Sequence, residues 1–245
     1  MAKRSDENAH WSPDVSQGIP EGKRAADFVF DTLAGAILGG QLAVGSVMVG
    51  ERELAEKFAI SRVIIREAIH RLKDMDLVRV KQGGQTVILD PAESSNPRLI
   101  PLLIEQATHE PRIVRELAER QLLQGLVLLE LAEGRITTED CDALDEIITR
   151  YDALGDESRN AFLREFWLRL AKGIHNQFLW REASFWFQMA ERYHLTGSAY
   201  MPLRARMDLH REIVRKLRAH DGSAMNHFRA SIRPVLTVLT AVARA

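Results

Sequence analysis

"SRVIIREAIHR", Ser61 to Arg71, reads as a helix with two unlike edges. At about 100° per residue, Ile64, Ile65, Ala68, Ile69 and Leu72 share one broad apolar arc, which Met75 extends. Arg62, Arg66, His70 and Lys73 share a narrower arc outside it, with Val63 at the far edge. Arg71 falls at the other border, beside Ile64. Ser61 stands where an N-cap belongs. The plain account of such arginines is the wet side of a packed helix. The neighbouring sequence decides whether they touch a partner instead.

Upstream, "ERELAEKFA" (Glu51–Ala59) places Leu54, Ala55 and Phe58 on one side of a short helix. It begins on acids, which suit the positive end of the helix dipole. Earlier still, Phe28, Leu33, Ile37 and Leu38 recur at helical spacing until Gly39-Gly40 stops them. Gly45 marks a turn before a short extended piece at Val47 and Met48. Downstream, "LVRVKQGGQTVIL" (Leu77–Leu89) alternates on both sides of Gly83-Gly84 and reads as a hairpin. Three helices and a hairpin over residues 21–90 predict a winged helix-turn-helix. That layout lays its last helix in the major groove of DNA, with the N-terminal turn at the base edges. Arg62 and Arg66 occupy that turn. A guanidinium fork matches guanine O6 and N7, or clamps phosphate. Arg52, at the start of the preceding helix, reaches the backbone or the same groove. Between Glu51 and Lys81 the basic residues outnumber the acids by only two, so groove geometry rather than bulk charge carries the expectation.

Composition sets the frame. A chain of 245 residues accommodates two domains, and 46% apolar content supplies a real core. A net charge of −1 excludes any whole-protein electrostatic argument for nucleic acid. The single cysteine, Cys141, forms no internal disulfide and no cysteine cluster for zinc, as expected of a reducing compartment. "MAKRSDENAHWSPDVSQGIPEGK" lacks the apolar centre of a signal peptide, and no apolar run approaches the ~20 residues that cross a bilayer. The expectation is a soluble, cytoplasmic protein with no membrane partner and with residues 1–20 as a flexible tail. "DPAESSNPR" (Asp90–Arg98) is the best linker, taken as 91–97. Residues 98–245 read as an all-α helical bundle, punctuated at Pro111, Gly155, Pro202 and Gly222. Within it "IVRELAERQLLQGLVLLELAEG" (Ile113–Gly134) is apolar on most sides in its second half, which predicts a central buried helix.

The residues quoted above carry a resemblance. "GERELAEKFAISRVIIREAIHRLKDMDLVRVKQGGQTVIL" (Gly50–Leu89) resembles the DNA-binding domain of the GntR family of bacterial transcription regulators. By position, the resemblance gives Arg52, Arg62 and Arg66 as DNA-contacting arginines. Ser61 and Val63 flank the first groove-facing arginine, and Gln82 and Gly83 take the wing tip. Where the family usually reads Thr-Pro after Ser-Arg, this chain has Val63-Ile64. A hydroxyl is lost, and Val63 is suited to a thymine methyl.

Residues 98–245 resemble the FCD (FadR C-terminal domain) class through "ITTEDCDALDEI" (Ile136–Ile147), "FWLRLAKGIHNQFL" (Phe166–Leu179) and "HREIVRKLRAHD" (His210–Asp221). Many members of that class hold a metal between an Asp and three His. The corresponding positions here are Leu163, Trp167, His210 and Ile232, so only His210 is retained. The expectation is no metal and no other cofactor. The same resemblance gives Arg120, Gln121, Trp167, Asn176 and His210 as residues for a small-molecule effector. It implies a ligand-responsive regulator that binds a pseudo-palindromic operator in double-stranded DNA as a homodimer. Two rivals stand beside it: a constitutive DNA-binding dimer with a filled pocket, and an all-α enzyme fused to a DNA-binding domain. No nucleophile–base pair or metal cluster in the sequence favours the enzyme.

Overall fold

The computed structural model describes residues 10–16, 18–81, 84–107, 111–154, 158–193 and 203–242. They form ten α-helices and one two-stranded sheet, in two compact units divided between Ala107 and Thr108.

In the first unit, α1 (Ala25–Leu38), α2 (Glu51–Phe58) and α3 (Arg62–Asp74) precede β1 (Val78–Val80) and β2 (Thr86–Ile88). The apolar arc of α3 is buried through Ile65, Ala68, Ile69 and Leu72, against Val29 and Leu33 of α1 and Leu54 of α2. The hairpin pairs Val78 with Ile88 and Val80 with Thr86, antiparallel. A third extended piece joins it, since Val47 bridges Val87 and the Met48 N–H donates to the Thr86 carbonyl. This fixes the wing to the segment that leads into α2.

The α2–α3 turn passes through Ala59 at φ 52° and ψ 41°, the left-handed region. A Cβ there costs ~1–2 kcal/mol, partly offset because alanine loses less backbone entropy than glycine on folding. Ala59→Gly is therefore expected to stabilise the first unit by ~0.5–1 kcal/mol. A denaturation midpoint that stays put or falls would contradict this.

Two features of this unit depart from the sequence reading. The stretch expected as a flexible tail includes Trp11 and Val15, which pack on the core. The Trp11 ring lies 6.4 Å from that of Phe58, and Lys57 Nζ donates to the Trp11 carbonyl at 2.5 Å. One large aromatic with a satisfied carbonyl is enough to hold a polar segment down. The second departure is α4 (Leu99–Ala107), expected in the helical bundle. Leu99 is buried in the first core and Leu102 packs against it, so α4 belongs with α1. Before it, a 3-10 turn at Pro91–Glu93 is capped by Asp90, and Asn96 Nδ2 donates to the Asp74 carbonyl at the end of α3.

The second unit contains α5 (Pro111–Ala132), α6 (Thr138–Asp152), α7 (Arg159–Gly173), α8 (Gln177–Arg192), α9 (Leu203–Ala219) and α10 (Ala224–Val242). Its core joins Leu128 and Leu129 of α5, Leu144 and Ile148 of α6, Phe162 and Phe166 of α7, and Ile213 and Leu217 of α9. α6 opens on a capping box, with Thr137 and Asp140 satisfying each other's backbone N–H groups. The expectation of a central, buried α5 holds at Leu128, Leu129 and Ala132 but not on every side. Leu123 and Val127, one turn apart, are 51% and 50% exposed, so one apolar edge of α5 faces outward.

Candidate functional site

The N-terminal end of α3 is bare. Ser61, Arg62, Val63 and Arg66 are all exposed, and Val63 is 76% accessible, far beyond what a packing residue shows. Arg62 enters no hydrogen bond or ion pair among the described residues. Arg66 is held across the turn by Glu51: Nε lies 3.2 Å from both carboxylate oxygens and Nη2 lies 2.7 Å from Oε2. That hydrogen bonding holds the Glu51 carboxyl below its usual range. An exposed pair of this kind contributes little to stability, but it sets the direction of the guanidinium. Arg52 pairs with Glu56 one turn along α2 at 3.3 Å. Ser61 occupies the N-cap with extended backbone, yet its hydroxyl makes no capping bond, which leaves that oxygen for an outside partner. Unpaired N–H groups, a helix dipole and two arginines at one end of a helix together favour an anion such as phosphate. Gln82 and Gly83 lie outside the described residues. Beside them Gly84 turns at φ 83° and its N–H donates to the Lys81 carbonyl.

Arg71, read from sequence as the arginine at the opposite border, turns inward. Its Nη1 lies 2.6 Å from Asp27 and its guanidinium carbon lies 4.2 Å above the Phe30 ring, both on α1. Lys57, counted among the local basic residues, is likewise engaged with Trp11 and Glu53.

In the second unit a cavity of about 100 Å³ lies among α5, α7, α8, α9 and α10. Gln121, Trp167 and His210 line it, as do Leu163 and Ile232. His210 is buried, with Nδ1 2.6 Å from the Arg206 carbonyl. A carbonyl only accepts, so Nδ1 carries the proton. Burial pushes the imidazole down to about 4 against the opposing pull of that hydrogen bond. The ring is therefore neutral and its Nε2, buried without a partner, is a bare acceptor. Phe162, Phe166 and Trp167 stand edge-on to it at 5.0, 4.5 and 5.8 Å. Gly125 lets the aromatic wall come close: a Cβ there would sit 2.6 Å from Phe228 Cε1 and 3.1 Å from Trp167 Cη2.

Two expected effector residues are elsewhere. Arg120 points off the cavity, 2.5 Å from Glu182 and 3.8 Å above the Trp186 ring. Asn176 caps α8, its Oδ1 accepting from the Phe178 and Leu179 N–H groups. In their place the cavity presents Gln124, Arg206 and Ser231. Arg206 precedes His210 by one helical turn, a same-face spacing that the sequence displays.

A model for the bacterial regulatory proteins of the gntR family matches residues 25–88, and the FCD domain model matches residues 114–229. Together they account for most of the chain, in the order of the two structural units. This chain belongs to the GntR family. Among its relatives, the "Uncharacterized HTH-type transcriptional regulator Rv0494" of Mycobacterium tuberculosis is 33% identical over 51% of each chain. The "HTH-type transcriptional regulator Mce2R" of the same species is 32% identical over 52% of this chain and 54% of its own. The chain thus spans about half the length of the curated relatives it matches. A solved structure described as Streptococcus agalactiae GntR is 26% identical, covers 87% of this chain and 99% of its own, and has a TM-score of 0.47.

Within this GntR family member, the four positions that the FCD resemblance assigns to metal ligands all reach one place. Leu163, Trp167, His210 and Ile232 line the same cavity. One imidazole among apolar walls does not fit a divalent ion, which requires several donors. Among the described residues no three His, Cys, Asp or Glu side chains come together. No helix among them is long and apolar enough to cross a membrane.

Proposed function

We propose that the chain is a cytoplasmic, ligand-responsive transcription regulator that binds a pseudo-palindromic operator as a homodimer. The observation that carries this reading is the bare end of α3, where Arg62, Val63 and Arg66 project together and Glu51 orients Arg66. Each recognition helix takes one half-site, and two copies related by a two-fold axis take a two-fold operator. The outward apolar edge at Leu123 and Val127 suits a second copy of the chain. The cavity around His210 is the effector site and works without a metal. Effector binding there changes the DNA affinity of the first unit, by linkage between the two sites.

Selection of binding sites from random duplex DNA by the full chain tests the reading. The enriched sequences are expected to share two inverted half-sites, with centres about one helical turn or a multiple of it apart. Enrichment of no sequence, or of a single asymmetric site bound by one copy, would overturn it. The reading as a constitutive dimer with a filled pocket is disfavoured by the open volume beside His210.

A further inference from the structure

The cavity of the second unit is specific about hydrogen-bond polarity. His210 offers a bare acceptor at Nε2, because its Nδ1 proton is committed to the Arg206 carbonyl. Gln124 offers the opposite. Arg120 Nη1 donates to Gln124 Oε1 at 3.1 Å, which fixes the amide so that Nε2 is the free donor, and Nε2 is buried without a partner. A buried donor and a buried acceptor left unmatched each cost free energy until something matches them. No carboxylate lines the cavity, and Arg206 does, so an ammonium ligand finds no counter-charge. The walls between these groups are ring-shaped and apolar, with Trp167 and Phe228 brought in close at Gly125. Apolar aromatic walls of this kind suit the faces of a compact ring with few substituents.

We infer that the cavity binds a small uncharged hydroxylated ring compound, whose hydroxyl donates to His210 Nε2 and whose carbonyl-type oxygen accepts from Gln124 Nε2. The inference rests on the reading of this cavity as the effector site. A carboxylate placed against the bare nitrogen meets a lone pair, so the anionic analogue is the weaker ligand at that position. Trp167 supplies a face for the ring, in the position where metal-holding members of the class have a ligand.

The test uses the full chain and calorimetry in slightly acidic buffer, where phenols are un-ionised. The probes are the three positional isomers of hydroxybenzaldehyde, with benzaldehyde, benzoate and zinc ion alone as contrasts. At least one isomer is expected to bind, and at least tenfold more tightly than benzaldehyde, the size of one buried hydrogen bond. His210→Phe, which keeps a ring but removes the acceptor, is expected to lose that tenfold preference over benzaldehyde. Gln124→Leu is expected to weaken the isomer similarly. Circular dichroism of each variant verifies folding. Binding of no isomer, equal binding of benzaldehyde or benzoate, or tight binding of zinc alone would each overturn the inference.

DNA binding, measured in the same samples, separates this from the regulator reading. Operator binding with no isomer bound refutes the ligand class and leaves the regulator standing. An isomer that binds as expected without altering operator affinity supports the ligand class and refutes ligand response.

Discussion

Arg62→Ala is expected to lower specific DNA affinity by ~1–3 kcal/mol, about five- to 150-fold, while leaving the fold intact. The side chain is exposed and enters no hydrogen bond or ion pair among the described residues, so its removal leaves nothing buried unsatisfied. On the proposed docking of α3, its replacement removes a guanidinium from the N-terminal turn that meets the base edges. The measurement is a titration of the selected operator against a scrambled duplex at fixed salt. Loss on the operator with little loss on the scrambled duplex marks a base contact. Equal loss on both, with a reduced salt slope, marks a phosphate contact instead. Unchanged affinity on both duplexes would remove α3 from the interface.

Asp140→Ala is expected to destabilise the second unit by about 2–4 kcal/mol. The Asp140 side chain is only 12% exposed and joins two helices. It accepts from the Thr137 N–H at 3.1 Å and from Arg169 of α7 at 2.8 Å. Its carboxyl also packs where a Cβ on Gly173 would lie, 3.0 Å away. Alanine removes one half of the capping box, leaving the Thr137 hydroxyl cap in place, and strips Arg169 of its partner. Burial pushes the Asp140 carboxyl up, but the Thr137 N–H and Arg169 outweigh it and hold it below its usual value. A folded pKa below the unfolded one stabilises the fold above about 3.9, and that contribution is lost as pH falls through the folded value. The gap in denaturation midpoint between wild type and Asp140→Ala should therefore be full at neutral pH and shrink in acid below that range. A gap that is small at neutral pH, or that stays constant into acid, would show that the pair contributes little.

The arc of α3 was legible because burial there follows the helical period: Ile65, Ala68, Ile69 and Leu72 face inward, and Arg62 and Arg66 do not. Periodicity says nothing of where an isolated aromatic goes, and Trp11 packs on the first core from within an otherwise polar segment. It also cannot say which core an apolar helix joins, and α4 joins the first rather than the second. In α5, apolar residues on most sides read as full burial, yet they also describe a helix with one edge turned outward at Leu123 and Val127.

In the cavity, Gln121, Trp167 and His210 were reached through the family's pattern of positions. Arg120 shares a helix face with Gln124 one turn on, but Glu182 and the Trp186 ring hold its guanidinium away from the cavity, which no linear pattern states. Asn176 has the sequence position of a polar anchor and the geometry of an N-cap. Gln124 and Arg206 depended on side-chain directions that no linear pattern states. The spacing of Arg206 to His210 was visible, but a single turn between two polar residues has no meaning until a cavity is found beside it.

The inward turn of Arg71 divides α3 into a moored half and an offered half. Asp27 and Phe30 fasten its C-terminal part to α1, while its N-terminal end carries Arg62, Val63 and Arg66 exposed. The helix thus works as a peg set in a socket, and its tip goes wherever the socket points. With α3 as the proposed recognition helix, selectivity among DNA sequences is expected to depend also on residues that never meet a base. A substitution at Asp27 or Phe30 is then expected to alter the tilt of the peg, and so the register in which Arg62 and Arg66 arrive, without altering the chemistry they bring.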